Sequence, residues 1–112
     1  MRESVRRATQ VCPVEVAIAV VGGAWKMTVV KQLRDGPLRF GELTRAVGPV
    51  TPRVLTRQLR ELEADGVVHR EVYPQVPPRV EYSLTPLGQT LGSLVESLDA
   101  WGADYLAQAP VR

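Results

Sequence analysis

The chain has 112 residues, 45% of them apolar and 23% charged, a composition that belongs to a folded globular domain rather than a disordered segment. That length supports one domain with a single modest core and excludes a two-domain enzyme. A net charge of +2 and an isoelectric point near 9.0 point only weakly toward nucleic acid, so the placement of the charges matters more than their sum.

Residues 1–31 carry five bases and two acids, residues 32–80 eight and six, and residues 81–112 one and four. The last third is therefore a poor surface for phosphates. Twelve of the fourteen bases are Arg, which suits bidentate contacts to phosphate or guanine, although genome composition also shifts Arg usage.

The polar start, with Arg2, Arg6 and Arg7, is not followed directly by a hydrophobic stretch with a small-residue cleavage site, so no signal peptide is expected. Val16 to Trp25 is the longest apolar run. Gly22 and Gly23 interrupt it, and it falls short of the roughly 20 residues of a membrane helix. It is expected to be core. The single Cys12 cannot close an intramolecular disulfide, which fits a reducing compartment, and the expected location is the cytoplasm with no membrane partner.

Val14 to Val21 and Ala24 to Leu33 read as two short helices, with Trp25, Val29 and Leu33 at four-residue spacing and Lys31 on the far side. Asp35-Gly36-Pro37 makes a turn. Leu38-Arg39-Phe40 is short enough for a small strand, and Gly41 to Val47 makes two turns of helix with Leu43 and Val47 inward. After the break Gly48-Pro49-Val50, Thr51-Pro52 opens a helix to Asp65. The Thr hydroxyl can cap free N–H groups, and Pro at the first helical position loses no bond. Gly66 closes it.

Val67 to Tyr73 and Arg79 to Leu84 have strand composition, and Pro74 to Pro78 between them makes a rigid, projecting hairpin tip. Thr85-Pro86 repeats the cap-and-proline opening and starts one long helix to about Leu106. Its apolar stripe runs through Leu87, Leu91, Leu94, Val95, Leu98, Trp101 and Tyr105.

Two short helices joined by a tight turn and followed by a hairpin give the order of a winged helix-turn-helix, mainly helical with a small β-hairpin wing. The expected layout is one domain over residues 1–112, with core and wing in 12–85 and a dimerisation helix in 86–107. At about 100° per residue, Arg53, Arg57 and Arg60 fall within roughly 60° of one another with Thr56 beside them. Leu55, Leu59 and Leu62 lie opposite. Such a face can present Arg to guanine edges, Thr or Gln to other edges, and Arg to phosphates. The competing reading is a solvated face, with Arg57 and Arg60 paired to Glu61 and Glu63 on their own helix. The adjoining turn and hairpin favour DNA contact. The candidate DNA-binding residues are Thr51, Arg53, Thr56, Arg57 and Arg60, with Arg39, Arg70 and Arg79 from the small strand and the wing; His69 also lies on the hairpin.

The stripe Leu91, Leu94, Val95, Leu98, Trp101 and Tyr105 is wider than a small wing domain covers alone, and pairing it with a second copy gives a twofold dimer. The alternative is that it folds back on its own domain. One His and one Cys offer no set of metal ligands at usable spacing, no Gly-rich phosphate loop follows a strand, and Ser83 and Ser93 have no nearby His. No cofactor, metal or catalytic constellation is expected.

Several ordered blocks resemble the HxlR-type regulators, relatives of the MarR group. They are Cys12-Pro13-Val14-Glu15, Gly22-Gly23-Ala24-Trp25-Lys26, Asp35-Gly36-Pro37, Arg39-Phe40-Gly41-Glu42-Leu43, Leu55 to Glu63, Asp65-Gly66-Val67-Val68 and Pro77 to Thr85. The resemblance spans about residues 12 to 105. It implies a bacterial homodimer that binds near-palindromic operator DNA, usually as a repressor and sometimes as an activator. The opening Pro49-Val50-Thr51-Pro52-Arg53 departs from the Ile-Ser-Gln/Lys-like stretch common in the family, so the operator sequence does not carry over.

Cys12 matches the N-terminal cysteine that is the reactive thiol in redox- or electrophile-sensing members. A helix N-terminus favours a thiolate, and Arg6 and Arg7 add positive charge nearby in sequence. Three readings stay open: a regulator controlled through Cys12 by an oxidant or electrophile, a regulator without thiol sensing that is constitutive or controlled by a small ligand, and a winged helix used as a protein-interaction module.

Overall fold

The computed structural model describes residues 1–109 and contains seven helices and three strands in that span. In chain order they are α1 (Glu3–Ala8), α2 (Pro13–Val21), α3 (Lys26–Leu33), β1 (Leu38–Arg39), α4 (Phe40–Val47), α5 (Pro52–Ala64), β2 (Val68–Tyr73), β3 (Arg79–Leu84), α6 (Pro86–Gln89) and α7 (Gly92–Gln108). The strands form one antiparallel sheet in the order β1-β3-β2, with Leu38 opposite Tyr82 and Val68 opposite Leu84. This is a winged helix: α3, α4 and α5 pack around a core of Val29, Val30, Leu33, Leu43, Val47, Leu55, Leu59 and Leu62, closed by Val67, Val68 and Val95.

The recognition segment forms as its sequence dictates. Thr51 Oγ1 accepts a hydrogen bond from the Val54 N–H at 3.2 Å, and Pro52 occupies the first turn. At the other end Gly66 adopts φ +79, which lets its own N–H reach the Glu63 carbonyl at 3.0 Å and the Val67 N–H reach the Leu62 carbonyl at 2.9 Å. That left-handed closure satisfies carbonyls a continuing chain would orphan, and it turns straight into β2.

Four features differ from the sequence expectation. A helix, α1, precedes the first one read from the sequence; Val5 and Ala8 are buried, and α1 packs against α2. The run Val16 to Trp25 is core only in part: Val21 is buried and Val20 and Trp25 pack against the core, while Ile18, like Val14 before the run, is exposed. The chain leaves that Val14–Ile18 face uncovered. The next helix begins at Lys26 rather than Ala24, because Trp25 takes the left-handed conformation at φ 76, where bulky side chains seldom sit.

The fourth difference is the final helix, which is two helices. α6 ends at Gln89 and α7 starts at Gly92. Thr85 Oγ1 caps α6 by accepting from the Gly88 N–H at 3.0 Å. The same hydroxyl lies 2.6 Å from the Gly66 carbonyl and 3.2 Å from the Val67 carbonyl, within donating range of both. This pins the short helix against the α5–β2 junction, and the chain must bend before α7 can run back over α3. Lys31–Asp99 at 2.9 Å and Arg34–Glu96 at 3.0 Å tie α7 to α3. Among the described residues no single helix is long and apolar enough to cross a membrane.

Candidate nucleic-acid interface

Leu55, Leu59 and Leu62 anchor α5 in the core, which turns Arg53, Arg57 and Arg60 outward and leaves Thr56 half-buried between them. The three arginines, Thr56 and Pro52 line an open groove of about 610 Å³, joined at one side by Arg2 and Glu61. Thr51 is exposed at the mouth of the helix.

The acids decide whether this face is free. Glu61 does not pair with Arg57: its Oε1 lies 2.7 Å from Lys26 Nζ and 3.4 Å from Arg2 Nη1. Glu63 meets Arg70 Nε at 3.6 Å instead of Arg60. Among the described residues Arg53, Arg57 and Arg60 therefore carry no ion-pair partner, and the Arg57–Glu61 and Arg60–Glu63 pairs weighed from the sequence do not form. The Lys26 hydrogen bond holds the Glu61 carboxyl below its ordinary value of 4.5, against the opposing effect of burial, and the charges of Lys26, Arg2 and Arg57 act in the same direction as the bond. Glu61 is thus an anion at neutral pH.

The wing residues fall into two groups. Arg70 on β2 reaches the seam between α5 and the sheet, where Thr56, Leu59, Arg60, Glu63 and Tyr82 surround a smaller cleft of about 180 Å³. Burial raises the Tyr82 hydroxyl above its ordinary value of 10.0, with Arg70 and Arg60 pulling it down and Glu63 adding to the rise. Arg60 and Arg70 thus converge from helix and wing. Arg79 is half-buried at the base of the hairpin tip, its guanidinium 4.0 Å from the Tyr73 ring centroid and its Nε 3.8 Å from Glu81. Arg39 sits across from Glu81 in the sheet register and starts α4, where its N–H donates to Glu42 at 2.8 Å. His69 is exposed on β2, 3.2 Å from Glu71.

Gln58 is buried against Gly23 and belongs to the interior, not to the exposed face of α5. One contact at the edge of the interface was not legible in the sequence. Arg2 reaches the far end of α5: its N–H and Nε donate to Asp65 at 2.8 and 2.7 Å, and Nη2 donates to the Ala19 carbonyl at 2.7 Å. The contacts to Asp65 cross 63 positions and the one to Ala19 crosses 17, with no local pattern to announce them. Among the described residues no group of three or more His, Cys, Asp or Glu is placed to hold a metal ion.

Cys12 is exposed and stands at the N-cap of α2. Of the apolar stripe near the C-terminus, Val95 is buried in the chain's own core and Leu91 packs against it, whereas Leu98, Trp101 and Tyr105 are exposed and Leu94 is half-covered. Trp101 and Tyr105 stack with ring centroids 5.5 Å apart.

Residues 20–110 match the HxlR-like helix-turn-helix family. The chain is 55% identical over 91 residues to the HTH-type transcriptional regulator YybR of Bacillus subtilis (strain 168), covering 81% of this chain and 73% of YybR. It is similar in structure to the redox regulator HypR in its oxidised form, with a TM-score of 0.79 and 51% identity over 89% of this chain and 100% of that one. The reduced form of the transcriptional regulator YodB from B. subtilis aligns with a TM-score of 0.74 and 34% identity, over 89% and 98% of the two chains. An arginine-faced helix held by leucines, a three-stranded wing and these likenesses lead to one conclusion: the chain belongs to the HxlR-like helix-turn-helix family of DNA-binding transcriptional regulators.

Proposed function

We propose that this regulator reads duplex DNA with Arg53, Thr56, Arg57 and Arg60 of α5 in a major groove, while Thr51, Arg39, Arg70 and Arg79 steady the flanking backbone. The observation that carries the reading is that, among the described residues, none of the three α5 arginines has an ion-pair partner, which leaves their donors for phosphates and guanine edges. The working unit is a homodimer. The exposed faces of α2 (Val14, Ile18) and α7 (Leu98, Trp101, Tyr105) supply the apolar surface, and a twofold axis would set the two α5 helices about 34 Å apart, in successive major grooves. Occupying an operator excludes polymerase without any further surface, and repression is the sign we propose.

Binding to duplex DNA is expected to weaken steeply with salt. Three arginines on each of two copies correspond to a slope of about −5 in log K against log salt. Fluorescence anisotropy with labelled duplex at several salt concentrations measures the slope, and sedimentation of the complex counts the chains. A flat salt response would favour the protein-interaction module instead.

Control through Cys12 is the second part of the proposal. The thiol is exposed at the start of a nine-residue helix, within reach of an oxidant or of a second copy, and the related HypR is described as a redox regulator. Two Cys12 thiols, one per copy, would each lose a hydrogen to an oxidant such as diamide, which becomes the hydrazine as the S–S bond forms. The joined copies would then hold their α5 helices at a changed spacing. Diamide treatment is expected to give a band of twice the chain mass on a non-reducing gel, absent from Cys12→Ser, together with altered operator affinity. Unaltered affinity would remove Cys12 from control and leave the small-ligand reading. That reading is favoured by an apolar cavity of about 310 Å³ between α1, α2 and α6, lined by Val5, Val16, Val20, Leu87 and Leu91.

A further inference from the structure

Glu61 stands four residues after Arg57, a spacing at which acid and base on one helix ordinarily pair. A carboxylate free on this face would take the Arg57 guanidinium and add negative charge where phosphates must approach. Instead one carboxylate oxygen, Oε1, is held at 2.7 Å by Lys26 Nζ, whose side chain is 2% exposed, while Glu61 itself stays on the groove wall at 33% exposure. A buried ammonium needs an ionic partner, and among the described residues Glu61 is the only carboxylate within ion-pair distance of Lys26. Arg2 reinforces the hold from the groove side while bonded to Asp65, whose side chain is 1% exposed.

We infer that Lys26 is a positioning residue for DNA recognition: together with Arg2 it sequesters Glu61 and so keeps Arg57 unpaired and available to DNA. The inference rests on the proposed use of the α5 face. Lys26 itself touches no DNA, since it lies beneath the helix. Its position next to Gly23 accounts for the shape of the preceding turn, where a Cβ on Gly23 would come within 3.3 Å of Lys26 Cδ and 3.1 Å of the Gln58 amide oxygen.

The test is a set of variants measured by anisotropy on a duplex that the wild-type protein selects from a random pool. Lys26→Met, close in length and apolar, releases Glu61 to Arg57 and is expected to weaken binding about tenfold, as for loss of one arginine contact. Adding Glu61→Gln to Lys26→Met is expected to restore affinity to within about twofold of wild type, because no anion then competes for Arg57. Adding Arg57→Ala to Lys26→Met is expected to cost nothing further. A role confined to stability would make both double variants worse. Arg2→Gln gives a second route should Lys26→Met melt too low to assay; its smaller loss is expected to be relieved by Glu61→Gln in the same way. Failure of rescue in both backgrounds, with Arg57→Ala alone still weakening binding, overturns the sequestration. If Arg57→Ala alone leaves affinity unchanged, the reading of the α5 face itself has failed.

Discussion

The variant Arg57→Ala/Arg60→Ala is expected to lose at least about thirtyfold in affinity for a selected operator, each arginine contributing about 1–3 kcal/mol. Its unfolding free energy should stay within about 0.5 kcal/mol of wild type. The separation of the two effects follows from geometry. Both side chains are exposed, neither has an ion-pair partner among the described residues, and the leucines that hold the helix lie on its other side. Truncation therefore removes donors aimed at solvent without opening a cavity. Arg57→Lys and Arg60→Lys divide the loss further: a side chain that only neutralises phosphate tolerates Lys, whereas one that grips a guanine edge with two parallel donors does not. Anisotropy at one fixed salt concentration, with urea unfolding of the same preparations, decides the matter. Retained affinity in the double variant would move recognition off α5 altogether.

The largest stability effect is expected from Gly88→Ala. Gly88 lies in α6 directly against the α5–β2 junction, and an added Cβ would sit well inside contact distance of the Val67 carbonyl oxygen, with the Val67 carbonyl carbon at 3.2 Å and Leu84 Cβ at 3.3 Å. The obstacle is backbone. Val67's carbonyl is fixed by the Thr85 N–H at 3.0 Å and lies 3.2 Å from the Thr85 hydroxyl, so it cannot step aside as a flexible side chain would. Helix α6 must retreat, loosening the Thr85 cap and the seating of Leu91 and Val95 on the core. A loss of about 2–4 kcal/mol is expected, which for a chain of this size lowers the melting temperature by roughly 10–15 °C. Calorimetry measures it, and a shift below about 3 °C would show that α6 is not seated as described.

Elements whose causes are local were open to reading from the sequence. The α5 helix carries its own start in Thr51-Pro52, its inward side in the leucines and its stop in Gly66, and the hairpin is bracketed by the Pro-rich tip. The misjudged elements depend on distant partners. Six residues of α1 give no periodic signal, and that helix is held through Val5, Ala8 and the reach of Arg2 to Asp65. The break between α6 and α7 interrupts an apolar rhythm that continues across it; what enforces the bend is contact of Gly88 with Val67, not any residue of the stripe. Hydrophobicity placed α2 in the core because composition cannot separate burial within one chain from an exposed apolar face. For the site, the arginine face was legible from angular spacing, but its freedom was not. Whether Glu61 answers Arg57 or Lys26 depends on how α3 lies under α5, which no spacing within the helix reveals.

The hydroxyl of Thr85 has a mechanical consequence. One small group meets the turn that closes α5 through Gly66, the first residues leading into the wing through Val67, and the first turn of α6 through Gly88. Three elements that meet at one atom share no hinge. Reading helix and wing therefore travel as a single rigid body, and a signal has little leverage on the angle between them. The freedom that remains is between whole subunits.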